Sequence, residues 1–124
     1  MAWIMLFIAG FFEVAWALAL KYSEGFTKLI PSIAFGVTAW LSFACLSYAL
    51  KSLPMGTSYA VWTGIGAVGI SVVGIVWLGE PANALRIGCI TLIVVGIAGL
   101  KFTADTMDAA PAVAVEARTE CSGD

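Results

Sequence analysis

The sequence predicts an all-α, polytopic membrane protein of four transmembrane helices, and three observations predict it. Of 124 residues, 61% are hydrophobic and only 11% charged, with a mean hydropathy of +1.00. A soluble domain carries about a quarter charged residues, so these charges are too few to clothe a water-facing surface. Four apolar runs, at 2–20, 30–50, 57–78 and 84–100, each approach the ~20 residues a helix needs to cross hydrocarbon. They are longer than barrel strands and do not alternate. The breaks between them are short and polar, which makes successive helices antiparallel neighbours.

The first run holds Ala17-Leu18-Ala19, which mimics a signal cleavage site. No Lys or Arg precedes it and Glu13 interrupts it, so it reads as a span rather than a secretory signal. The second opens with Pro31, suited to a first helical turn. Pro54-Met55-Gly56 and Gly79-Glu80-Pro81 are turn signals around the third. That run is dense in glycine (Gly64, Gly66, Gly69, Gly74), and Gly64 and Gly66 are expected as packing or hinge positions. In the fourth, Gly88, Cys89 and Gly96, with Gly99, offer a small-residue seam suited to dimerisation. Residues 1–102 thus form one four-helix domain. Residues 103–124 hold five acids against Arg118 alone and read as a disordered acidic tail.

Composition excludes several functions. Histidine is absent and the three cysteines, Cys45, Cys89 and Cys121, lack metal-type spacing, so no disulfide, metal site or cofactor is expected. No basic cluster or aromatic ladder suggests nucleic acid. Without His or a plausible Ser/Cys–base pair, no catalytic constellation stands out, and an enzyme is not expected. The net charge of −2 belongs to the tail: residues 1–102 hold five basic and three acidic residues.

Basic residues are balanced across the predicted membrane. Loops 1 and 3 carry Lys21, Lys28 and Arg86, while loop 2 and the C-terminal side carry Lys51, Lys101 and the distant Arg118. The positive-inside rule therefore gives no preference. The chain either inserts both ways, allowing an antiparallel homodimer, or takes one orientation from weaker cues.

The chemistry centres on Glu13, ten residues after Trp3 and so about 15 Å into the bilayer. A charge there costs at least a few kcal/mol on insertion scales, and no Lys or Arg lies mid-run to neutralise it. Glu13 is either a protonated acid acting as helix glue or an ion and proton site. Gly10, Glu13 and Trp16 share a helical face, which puts space and an aromatic wall beside the carboxylate. Tyr59 and Trp62 form a second aromatic pair, and Ser42 supplies a mid-helix hydroxyl that could bond the carboxylate. Carboxylate and aromatic faces together suit a desolvated cation. In a dimer two Glu13 side chains would titrate as a coupled pair, and mutually exclusive binding of cation and protons gives antiport.

Gly10-Phe-Phe-Glu13-Val-Ala-Trp16, Leu20-Lys21-Tyr22, and the stretch from Lys51 through Tyr59-Ala-Val-Trp62-Thr-Gly-Ile-Gly66 resemble the small multidrug resistance family over about residues 2–102. Trp16, and Trp-Thr-Gly-Ile-Gly at 62–66, look like its guanidinium-exporter subtype; the quaternary-ammonium subtype typically has glycine where Trp16 stands. The resemblance implies an antiparallel, dual-topology homodimer in a bacterial inner membrane that exports guanidinium-like cations in exchange for protons. It makes Glu13 the shared proton and substrate site. Trp16, Ser42 and Trp62 would orient it, Tyr59 would act on the gate side and Gly10 would give space. A multidrug exporter of bulky cations is the alternative within the family, and a non-transporting assembly subunit the alternative outside it.

Overall fold

Lipid removes the usual reason to bury large apolar side chains, so helices in a bilayer are held by close packing and hydrogen bonds between small or hydroxyl-bearing surfaces. The computed structural model follows that rule. It describes residues 1–107 as α1 (Ala2–Tyr22), α2 (Leu29–Ala49), α3 (Met55–Val76) and α4 (Ala84–Met107). All four helices are long and apolar enough to cross a membrane. Buried positions include Ala9, Gly10, Ser42, Ala49, Ser58, Gly64 and Gly66. Large side chains such as Phe11, Ile30, Trp40 and Leu92 face outward. Leu6, Leu46, Val61 and Trp62 complete a small core.

α1 packs along α2 and α3, while α2 meets α3 only briefly and the backbone of α4 comes close to α3 alone. Glu80 feels the charge of Lys21, which puts loops 1 and 3 at one end. Lys101 Nζ lies 5.6 Å above the Trp3 ring at the other. The α1–α3 seam is interlocked by glycine. Ile65 fills the hollow at Gly10, and Val14 the hollow at Gly69. A Cβ at Gly10 would lie 2.7 Å from Ile65 Cγ2 and 2.9 Å from Ile65 Cβ, so the two helices approach more closely than alanine permits.

α1 ends at Ser23, whose buried hydroxyl donates to Leu20 O (2.7 Å) and accepts from the Phe26 amide (3.2 Å). Glu24, Gly25 and Phe26 then take φ of 48°, 73° and 65°. Gly25 adopts that region freely, whereas Glu24 and Phe26 each sit at a cost of about 1–3 kcal/mol. α3 starts at Met55, immediately after Pro54 at its N-cap, ahead of the expected position 57. α4 begins after Asn83, whose Oδ1 accepts the Arg86 amide at 2.8 Å. It continues to Met107, past position 103 where the sequence reading starts the tail. Thr103 and Thr106 hydroxyls bond back to Gly99 and Thr103 carbonyls there. The rest of the expected tail, with Cys121, lies outside the described residues.

Candidate functional site

Because α1 and α3 run in the same direction, equal depth from their starts brings Glu13 opposite Gly66. Gly66 is the hollow that holds the carboxylate. A Cβ there would overlap the Glu13 carboxyl group, with Glu13 Cγ only 2.8 Å away. Glu13 is half-buried, and its Oε2 is sealed from solvent with no hydrogen-bond partner among the described residues. One turn on, Trp16 Nε1 is in the same condition. A carboxylate oxygen and an N–H donor thus stand buried and unpaired on one face of one helix. Unmade bonds of this kind are expensive, and where they persist they mark a place for a ligand, a proton or an ordered water. The Trp16 ring meets Phe35 of α2 edge to face, centroids 5.7 Å apart at 82°.

Ser42 takes different partners from those expected. Its hydroxyl donates to Ala9 O at 2.7 Å and accepts from Trp62 Nε1 at 3.1 Å, so it does not bond the carboxylate. Ala9 O is the carbonyl to which the Glu13 amide bonds within α1 by helix geometry. The chain Trp62–Ser42–Ala9 therefore joins α3, α2 and α1 one turn from Glu13, across a contact between α2 and α3 that is otherwise slight. Trp62 is further fixed by Phe43 at 5.6 Å and Tyr59 at 5.4 Å between ring centroids. Tyr59 itself is exposed.

Gly10 departs from its expected part as well, since its hollow takes Ile65 and not the carboxylate. Gly64 faces α4, where Ile97 Cδ1 would lie 2.6 Å from an added Cβ. Among the described glycines, only Gly66 has the acid nearest to a built Cβ. On α4, Gly88 and Gly96 have nothing within 4 Å of a built Cβ and Cys89 is exposed. That seam is left uncovered within one chain. Residues that the sequence reading missed are Phe35, Ile65, Phe43 and the Ala9 carbonyl; only the depth match between parallel helices could have found the Glu13–Gly66 pairing.

Two further features lie off the site. An apolar cleft of about 330 Å³ between α1, α3 and α4 is lined by Phe7, Ile65, Val68, Gly69, Val94 and Ile97, and Glu13 does not open into it. At the loop 3 end Arg86 donates to Glu80, and this guanidinium, with Lys21 beyond it, holds the Glu80 carboxyl below the usual carboxylate range. Glu80 is folded back over Gly74, where a Cβ would meet its Oε2 at 2.8 Å. Among the described residues no cluster of three or more His, Cys, Asp or Glu could hold a metal ion.

The sequence profile described as Small Multidrug Resistance protein matches residues 1–93, a stretch that contains every residue of the Glu13 site. The chain belongs to the small multidrug resistance family. Within it, the chain is similar to the guanidinium exporter of Escherichia coli (strain K12), 55% identical over 103 residues that cover 83% of this chain and 98% of that protein. The guanidinium exporter of Yersinia pseudotuberculosis (serotype I, strain IP32953) is 59% identical over 101 residues, 82% of this chain and 97% of that protein. That of Salmonella typhimurium (strain LT2) is 54% identical over 104 residues, 84% of this chain and 99% of that protein. These alignments take in nearly the whole of each relative and leave 16–18% of this chain unmatched.

Proposed function

We propose that this chain exports guanidinium and small guanidinyl cations in exchange for protons, as an antiparallel homodimer in a bacterial inner membrane. The observation that carries the reading is the mid-span Glu13 carboxylate, cradled by Gly66 with Oε2 unpartnered among the described residues. The names of its relatives support the substrate. Guanidinium is planar, permanently charged and rich in donors, so it can fork onto a carboxylate as an arginine side chain does. Occupancy by a cation or by a proton neutralises the acid equally, and one site cannot hold both. Alternating exposure of such a site to the two sides couples the two movements.

Trp16 forms a wall one turn from the acid, and the Ser42–Trp62 joint with Tyr59 and Gly10 holds the surroundings. Gly64 and Gly66 are proposed as the points where α3 flexes. A second copy brings a second Glu13 into the cavity, which supplies carboxylates on both faces of a flat cation. The dimer is supported by the uncovered Gly88, Cys89 and Gly96 seam of α4, and dual topology by the even count of basic residues. Residues beyond the fourth span are proposed as an acidic extension without transport chemistry.

Purified protein in proteoliposomes tests this. An imposed proton gradient should drive guanidinium uptake, with tetraalkylammonium ions poor substrates. Equal or better movement of tetraalkylammonium would favour the multidrug reading, and movement of neither cation would favour an assembly subunit.

A further inference from the structure

Trp16 is the wall of the proposed site, yet nothing in α1 itself fixes which way its indole leans. Its N–H is buried and has no partner among the described residues, so no hydrogen bond selects a rotamer. What meets the ring is Phe35 of α2, edge to face at 5.7 Å and 82°. Phe35 is in turn met by Phe26 of loop 1, at 5.3 Å and 72°. Both separations and both near-perpendicular angles lie in the range where aromatic pairs attract. Three rings therefore run unbroken from a loop outside the membrane to the wall of the site.

The outer ring is held by backbone that a phenylalanine does not adopt unaided. Phe26 has φ +65°, next to Gly25 at +73° and Glu24 at +48°. A bulky residue persists in this region only where its surroundings over-determine it. Here the buried Ser23 hydroxyl receives the Phe26 amide and donates to Leu20 O, so the end of α1 and the loop are one rigid unit. That unit aims the Phe26 ring at α2.

We propose that Phe35, buttressed by Phe26, is a positioning residue that holds the Trp16 indole in place and so sets the width of the cation site. The inference rests on the proposed reading of Glu13 and Trp16 as that site. With Phe35 present the indole is confined and the space beside Glu13 admits a thin, flat cation. With the ring removed, Trp16 gains room to swing towards α2, the fit to guanidinium loosens and wider cations enter. Phe35 touches neither acid nor substrate and acts through Trp16 alone.

The experiment uses the full chain, labelled with 5-fluorotryptophan for 19F NMR in detergent micelles and, in parallel, reconstituted for uptake. The Trp16 resonance is assigned by its loss in Trp16→Phe. Phe35→Ala, and Phe35→Leu as a milder variant should alanine fail to insert, are expected to move that resonance by removing the ring current. Phe35→Tyr should return it towards the wild-type position. In uptake, Phe35→Ala should raise the guanidinium KM by about 2- to 12-fold, the worth of one edge-to-face pair, with kcat retained, and should improve relative entry of tetrapropylammonium. Phe35→Tyr should restore both values. Phe26→Gly, which relieves the backbone but deletes the buttress, should shift both readouts in the same direction by less. In a Trp16→Gly background, Phe35→Ala should change nothing further. An unmoved Trp16 resonance, an unchanged cation preference, or an effect that persists without Trp16 would each overturn the proposal. A resonance that moves in a protein that transports no cation at all would instead overturn the function proposed above, and leave the positioning contact standing.

Discussion

Gly66→Ala should disable the carboxylate while leaving the bundle folded. The new methyl would sit 2.8 Å from Glu13 Cγ and closer still to the carboxyl carbon, whereas carbon atoms settle about 3.5–4.0 Å apart. The carboxylate must therefore move by roughly 1 Å. Only the far end of a flexible side chain has to give way, so the helices need not separate. An off-rotamer Glu13 costs about 0.5–1.5 kcal/mol, and replacing glycine by alanine inside a helix returns about 1 kcal/mol. The two nearly cancel. Thermal unfolding of the variant in detergent should thus lie within a few degrees of wild type.

Function is far less tolerant. A displacement of about 1 Å in a positioned group can cost on the order of 10²-fold, so guanidinium uptake under a proton gradient should fall by one to two orders of magnitude. The paired measurement is what matters. Wild-type uptake in a well-folded Gly66→Ala protein would refute the idea that Gly66 exists to seat the acid. A grossly destabilised protein would also count against it, because the clash would then lie with a rigid neighbour rather than with Glu13.

Gly10→Ala should behave oppositely: its Cβ would strike Ile65 close to the α3 backbone, and such overpacking costs about 1–3 kcal/mol, readable as a lower melting temperature. Glu13→Gln keeps the shape but cannot ionise, so it should fold, and accumulation of guanidinium against a gradient by this variant would sink the antiport reading. Ser42→Ala removes the acceptor of Trp62 and the donor to Ala9, and unfolding in detergent should show a loss of about 1–3 kcal/mol, with Ser42→Thr recovering part of it. For Glu80, pairing with Arg86 lowers the folded-state pKa below the unfolded one. Its stabilisation is then fully present above the ordinary carboxylate pKa and is lost as pH falls through the lowered value. The melting-temperature gap between wild type and Glu80→Gln should therefore close on acidification below about pH 4, and a gap that stayed constant would show that the pair contributes nothing.

The helices were legible because their lengths are dictated by bilayer thickness, and Glu13 because an unneutralised acid in hydrocarbon is costly enough to stand out. Depth becomes legible once the helix starts are known. Glu13 lies 11 residues past Ala2 and Gly66 lies 11 past Met55, so parallel α1 and α3 bring them level. Ser42 stands seven residues from the end of α2, as Ala9 stands seven from the start of α1, which suits an antiparallel pair. What sequence could not supply is rotation about each helix axis. That decides whether Ser42 faces the carboxylate or the Ala9 carbonyl, and whether Gly10 receives an acid or Ile65. Phe35 escaped for a related reason, since one ring among many in a lipid-facing run carries no periodic signal. Loop 1 escaped because positive φ is legible at Gly25 but not at Phe26, where tertiary contact overrides preference.

The arrangement also limits how the proposed antiporter can move. The Trp62–Ser42–Ala9 joint fixes α1, α2 and α3 at one level, so large sliding there would break two hydrogen bonds at once. Just beyond it, α3 carries Gly64 and Gly66, whose hollows hold Ile97 of α4 and the Glu13 carboxylate. Flexing α3 at Gly66 must open or close the seat of the acid, and flexing at Gly64 must repack α4. In the proposed cycle, exchange of a proton for a larger cation at Glu13 changes how deeply the carboxylate can lie over Gly66. The curvature of α3 and the occupancy of Glu13 are then two descriptions of one coordinate. In that cycle the three hydrogen-bonded helices would act as the fixed frame, and α3 beyond Trp62, with α4 packed against it, would be the part that moves.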